Sequence, residues 1–243
     1  KGADPFVDNS PNAFTITQNG NPQATTFGPF DAAEAGEGGL VWTKSRGDGN
    51  PHFLTDTVRG ATKTIRSNAT ATESTDAQAV TSFNAGGFSI GSDSALNRDG
   101  FDYASWTFRK TPKFFTCLTY TGDGVAGREI AHDLGGTVGS IFVKKTNVSR
   151  EWAVYHRGVG ATHYGVLNNA DQFYDQVTLW NDTEPTSTHF TVGDNNSVNT
   201  YGDTYVAYLF AHNDGDGEFG PDGDADIIKC GSYTGTGAAG NFI

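Results

Sequence analysis

Apolar residues along this chain alternate with polar ones over short stretches, or run together for a few residues. They almost never recur with a helical period. Ala13-Phe14-Thr15-Ile16-Thr17 alternates and ends at Asn19-Gly20, a hairpin signal. Leu40-Val41-Trp42 and Ile141-Phe142-Val143 are continuous, as in strands buried on both faces. Trp152-Ala153-Val154-Tyr155-His156 and Tyr205-Val206-Ala207-Tyr208-Leu209-Phe210 complete the stronger strand candidates. Residues 69–79 lack the apolar spacing of a buried helix and read as a long polar loop or a short surface helix. Frequent turn residues between the runs predict an all-β chain of sandwich type.

The pattern repeats at a spacing of about 100 residues, the size of a small β domain. Gly38-Gly39-Leu40-Val41-Trp42-Thr43-Lys44 reads like Gly139-Ser140-Ile141-Phe142-Val143-Lys144-Lys145. Phe88-Ser89-Ile90-Gly91 returns as Phe190-Thr191-Val192-Gly193, and Tyr103-Ala104-Ser105-Trp106 as Tyr205-Val206-Ala207-Tyr208. A third echo, of Cys117-Leu118-Thr119-Tyr120-Thr121-Gly122 in Cys230-Gly231-Ser232-Tyr233-Thr234-Gly235, breaks off at Ile243. The expectation is two tandem antiparallel β-sandwich modules, residues 1–112 and 113–226, followed by a C-terminal strand stub, residues 227–243. The apolar runs around Val41, Trp106, Phe142, Tyr205 and Leu209 are expected to form two cores in equivalent places.

Composition narrows the classes. A net charge of −12 argues against nucleic acid, whose phosphates need a basic surface, and fits an extracellular or virion surface. No apolar stretch is long enough to span a membrane as a helix. The chain has no methionine, which reads as a processed or cropped polypeptide. Two cysteines are too few for a disulfide framework, and at equivalent repeat positions they read as half-buried thiols on strands.

The loop between the second module and the stub concentrates carboxylates. Asp214, Asp216, Glu218, Asp222, Asp224 and Asp226 could supply calcium with its six to eight oxygens, although the spacing is not that of an EF-hand. A solvated surface loop is the competing reading. The six histidines show no HExxH or Cys-paired spacing, and no Gly-x-Ser-x-Gly elbow is present. With no nucleophile, base and orienting group at a recognisable spacing, the chain is read as not an enzyme and as needing no cofactor. Of the tryptophans, Trp42, Trp106 and Trp152 lie in apolar runs and read as core. Trp180 lies beside a turn and is the candidate for an exposed, glycan-stacking aromatic. Asn68, Asn147, Asn181 and Asn195 stand in N-glycosylation sequons, relevant in a secreted protein.

The motifs Gly38-Gly39-Leu40-Val41-Trp42-Thr43-Lys44-Ser45-Arg46, Asp56-Thr57-Val58-Arg59-Gly60, Thr81-Ser82-Phe83-Asn84, Tyr120-Thr121-Gly122-Asp123-Gly124, Trp152-Ala153-Val154-Tyr155-His156-Arg157 and Tyr205-Val206-Ala207-Tyr208-Leu209-Phe210-Ala211-His212 resemble a family of uncharacterised repeat modules in tail and virion proteins of bacteriophages of aquatic bacteria. Ser10-Pro11-Asn12-Ala13-Phe14-Thr15-Ile16-Thr17 resembles, more weakly, the end of a laminin-G or concanavalin-like sandwich. The resemblance implies a structural or adhesive role on a virion or extracellular fibre. The function expected is a self-assembling fibre subunit whose copies join head to tail through a donor strand carrying Ile227, Ile228, Cys230 and Tyr233. The alternatives are a carbohydrate-binding adhesin, with cell-surface glycans as partners, or a glycan hydrolase.

Overall fold

The computed structural model describes residues 38–84, 86–220 and 222–242; the hairpin expected over residues 13–20 lies outside them. The first repeat contains β1 (Gly39–Ser45), β2 (Phe53–Asp56), β3 (Lys63–Arg66), β4 (Ser74–Thr75), β5 (Val80–Asn84), β6 (Gly87–Ile90) and β7 (Tyr103–Arg109). Then come β8 (Phe115–Thr121), β9 (Arg128–Ala131), β10 (Val138–Lys145), β11 (Ala153–His156), β12 (His163–Val166), β13 (Tyr174–Asp175), the one-turn α1 (Val177–Trp180), β14 (His189–Val192) and β15 (Thr204–Ala211). The chain is all-β and antiparallel, as the short apolar runs and dense turns indicate. One main sheet has the order β4-β3-β2-β1-β7, the other β13-β12-β11-β10-β15-β8. Two small sheets, β5-β6 and β9-β14, accompany them.

The repeat is reproduced bond by bond. Gly60 and Gly160 both take positive φ, 95° and 89°, and both donate N–H to the last residue of the preceding strand, Asp56 and His156. Asn68 Oδ1 accepts the His52 N–H at 3.2 Å, and Asn168 Oδ1 the Trp152 N–H at 2.9 Å. The Tyr103 hydroxyl accepts the Arg98 N–H, and the Tyr205 hydroxyl that of Thr200. The ladder also sets the alignment. Leu40 opposes Asp56 where Ser140 opposes His156, so Gly39 matches Gly139 and Lys44 matches Lys144. The sequence comparison was one residue out here, enough to swap the two faces of a strand.

Directly opposed residues share a face, so the ladders show how the main sheets meet. Leu40, Leu54 and Ile65 of the first sheet share one core with Phe115, Cys117, Trp152, Val206, Tyr208 and Phe210 of the second. Trp42, opposite Leu54, and Phe142, opposite Tyr208, lie on these same two faces. The repeats therefore meet through equivalent faces, each supplying one main sheet of the sandwich. The seam is also polar: Trp152 Nε1–H donates to Arg66 O at 2.9 Å, and Glu73 N–H to Thr146 O at 2.8 Å.

Each sheet's outer face has its own cover. In the first repeat Phe53 packs with Ala79 and Leu96. In the second Ile141, Val143, Tyr155, Tyr205 and Leu209 pack with Leu179, Trp180, Phe190 and Val198. Leu96 and Val198 close equivalent turns, with N–H bonds to Asp93 and Asn195. Of the residues expected in the cores, Val41, Tyr205 and Leu209 are buried and Phe142 is partly buried against the shared core. Trp106 corrects the expectation, being 47% exposed. Residues 227–242 carry no strand, although Ile228 accepts a backbone hydrogen bond from Asn213.

Candidate functional site

The first candidate lies where the sheets meet. The turn after β2 ends in Asp56-Thr57-Val58-Arg59-Gly60, which looks in sequence like a solvated turn. Instead, the Asp56 side chain is fully buried and that of Arg59 is 3% exposed. The Arg59 guanidinium meets Asp56 Oδ2 at 2.6 Å, and Nη2 donates to Leu54 O at 3.0 Å and to Tyr208 Oη at 3.1 Å. Nη1 donates to Glu73 Oε2 at 3.3 Å. Tyr208 Oη donates to Asp56 Oδ2 at 2.6 Å from the other repeat. Burial works against the Arg59 charge, and Tyr208, Asp56 and Glu73 more than offset it, holding the guanidinium above its ordinary value. Burial likewise holds the Tyr208 phenol well above its usual value. The network is satisfied and rigid, so it ties the sheets together. Beside it opens a groove of about 530 Å³, lined by Arg59, Glu73 and the hydroxyls of Thr119, Thr121, Thr146 and Thr204.

The second candidate is an aromatic corner on the first sheet. Trp42 and Trp106 oppose each other across β1 and β7, with ring centroids 6.1 Å apart and planes at 64°. Trp42 Nε1–H donates to His52 Nδ1 at 3.2 Å. With Phe108 these side chains line a cavity of about 220 Å³. Trp180, expected to be the exposed aromatic, is a correction: it is 1% exposed, in the core of the second repeat beside Tyr155. Its turn is real, with Asn181 at φ 54°, but α1 directs the indole inward.

A third site comprises Lys110, Cys117, His132 and Asp133 around a cavity of about 300 Å³. Burial raises the Cys117 thiol to about 12, so it offers no thiolate at neutral pH. Asp133 accepts from Thr116 at 2.6 Å and pairs with Lys110 at 2.9 Å.

Carboxylates of the acidic loop meet lysines and backbone N–H groups. Glu218 pairs with Lys113 at 2.6 Å and Asp214 with Lys229 at 3.4 Å. Asp216 Oδ1 accepts the Asp214 N–H, and Asp226 accepts the N–H groups of Gly215 and Gly217. Asp222 and Asp224 are exposed. Among the described residues no three His, Cys, Asp or Glu side chains are grouped to hold a metal.

The C-terminal segment lies back on its own repeat. Asn213 N–H donates to Ile228 O at 2.9 Å, and Asn213 Oδ1 accepts the N–H groups of Ile227 and Ile228. Cys230 N–H donates to His212 Nδ1 at 3.1 Å, and the thiol sits over Gly139, where a Cβ would come within 2.6 Å of Sγ. Ile228 packs on both cores, while Ile227 and Tyr233 are exposed. Both cysteines are free. Of the sequon residues, Asn68 and Asn147 are exposed. Asn68 Oδ1 accepts the His52 N–H, the Asn147 amide bonds Asp203 and Thr204, the Asn195 amide is held by Thr178 and Ser197, and Asn181 caps α1 through its backbone N–H.

The chain belongs to a family described as a domain of unknown function (DUF7483), whose model matches residues 32–243. Comparison with curated proteins and with solved structures returns no match. Among the described residues no helix is long and apolar enough to cross a membrane.

Proposed function

We propose that this chain is a non-enzymatic structural subunit of a fibre, in a phage tail or virion or in an extracellular filament, whose copies join head to tail by strand addition. One observation carries the reading. β8 lies along β15, with Cys117 opposite Tyr208 and Tyr120 opposite Tyr205. β7 is the equivalent of β15 and ends its sheet among the described residues. Residues 230–235 repeat the sequence of residues 117–122, and Gly231 to Gly235 are exposed. A second copy's C-terminal segment thus has the right sequence to take on β7 the place that β8 takes on β15, gaining main-chain hydrogen bonds it lacks in the monomer. Donor and acceptor differ, so the contact is heterologous and propagates. Negative-stain imaging and sedimentation of the full chain and of a chain ending at residue 226 test this. Assemblies formed by the full chain alone support it, and equal assembly by both overturns it.

A further inference from the structure

We propose that the corner formed by Trp42, His52, Trp106 and Phe108 is a binding site for the apolar face of a pyranose ring of a neutral glycan. Trp106 lies on β7, the strand proposed as acceptor in assembly, so the test below reads glycan retention and sedimentation separately.

Comparing the two repeats isolates the feature. Positions 42, 52 and 106 correspond to Phe142, Trp152 and Tyr208 in the second repeat. There, Trp152 and Tyr208 stack at 6.1 Å inside the shared core and are 0% exposed. The first repeat keeps aromatic side chains at all three positions, but Trp42 is only partly buried at the edge of the shared core and Trp106 is exposed. A tryptophan at 47% exposure loses the burial that would stabilise it, and such aromatic surface on a folded domain marks a contact.

The chemistry of the corner selects the ligand. The Trp42 indole N–H is already taken by His52 Nδ1, so Trp42 presents its carbon face. That bond fixes the imidazole tautomer: with Nδ1 accepting, the proton is on Nε2, which is left as a donor. Burial, with the nearby Lys44 ammonium, lowers the His52 pKa, so the ring is neutral at physiological pH. The site thus offers two indoles, one phenyl ring and neutral N–H donors on His52 and Trp106, with no carboxylate or guanidinium among the lining residues. The nearby Lys44 ammonium is bound by the carbonyls of Ser45 and Asp48, at 2.6 and 3.0 Å. A sugar ring matches the corner, with C–H bonds on one face for the indoles and a hydroxyl for His52. The cavity, about 220 Å³, is smaller than the usual range for drug-sized ligands, which suits one ring at the end or on the flank of a chain rather than a buried molecule or a peptide helix.

A glycan array probed with the full chain, followed by titration of the retained glycan against tryptophan fluorescence, tests the site. The expected result is retention of at least one neutral glycan class, with affinity reduced about tenfold or more by Trp106→Ala, the scale of one aromatic contact. Trp106→Tyr should recover part of that loss, and Tyr201→Ala, at another exposed aromatic, should leave binding unchanged. Each variant's melting curve establishes that it is folded. No retained glycan, or retention indifferent to Trp106→Ala, overturns the proposal. A Trp106→Ala variant that changes sedimentation instead of glycan binding also overturns it, by showing the corner to be an interface between copies.

Discussion

Tyr208 donates its phenolic hydrogen to Asp56 at 2.6 Å, joining β15 of one repeat to the end of β2 of the other. Asp56 in turn holds Arg59, which returns a hydrogen bond to Tyr208. Three side chains from two repeats thereby satisfy one another in a dry interior, where any one left alone would be costly.

Removing the hydroxyl should weaken the sandwich. Tyr208→Phe is expected to cost about 1–3 kcal/mol, the penalty of an acceptor and a donor losing one partner. Asp56→Ala should cost about 3–5 kcal/mol, because Arg59 stays buried with only Glu73 as counter-charge. The double variant should cost less than the sum, since both changes break one network. Denaturant midpoints for the four proteins measure the coupling, and strict additivity would show that the network does not join the sheets.

Burial separates the two tryptophans that sequence could not. Trp180→Ala should cost about 3–5 kcal/mol, whereas Trp106→Ala should cost well under half of that. Leu209→Asp, placing an unpaired charge among Ile141, Tyr205 and Val198, should cost several kcal/mol, among the largest single-site effects. Thermal melts rank the three, and a Trp106→Ala as damaging as Trp180→Ala would place Trp106 in a core.

Much of the architecture was legible in the chain, and particular residues show where legibility stopped. The repeats are written in Gly60 and Gly160, Asn68 and Asn168, and Tyr103 and Tyr205, because turns and caps depend on residue type at fixed positions. Which faces meet is not written there: Leu40 and Val41 are both apolar, and only the ladder places Leu40 in the shared core. Asp56 and Arg59 look like an exposed turn because sequence does not show the second repeat closing over them. The carboxylates of the acidic loop are close in sequence, but their partners, Gly215, Gly217, Lys113 and Lys229, are set by the fold.

Stability should depend on pH through Lys144. Its ammonium is buried, donating to the carbonyls of Thr70, Lys145 and Arg150 at 3.0, 3.1 and 2.8 Å. Burial lowers its pKa to about 8 from the ordinary 10.5. Between those values the unfolded chain holds more protons than the folded one, so this group makes stability rise with pH. Its cost is present in full below about pH 8 and gone above about 10.5. Relative to Lys144→Met, the parent should therefore gain stability as pH rises through this window. A stability difference that stays flat from pH 7 to 10.5, by denaturant unfolding, would show that Lys144 does not titrate there.

Head-to-tail growth is tested most directly by capping. A chain ending at residue 226 retains β7 but lacks the donor segment, so each truncated copy can accept a strand and cannot pass one on. Titrated into the full chain, folded truncated protein should shorten the assemblies in proportion to its share, down to dimers at excess, as read by sedimentation velocity. Assemblies whose length is indifferent to the truncated protein would contradict strand addition as the joint between copies.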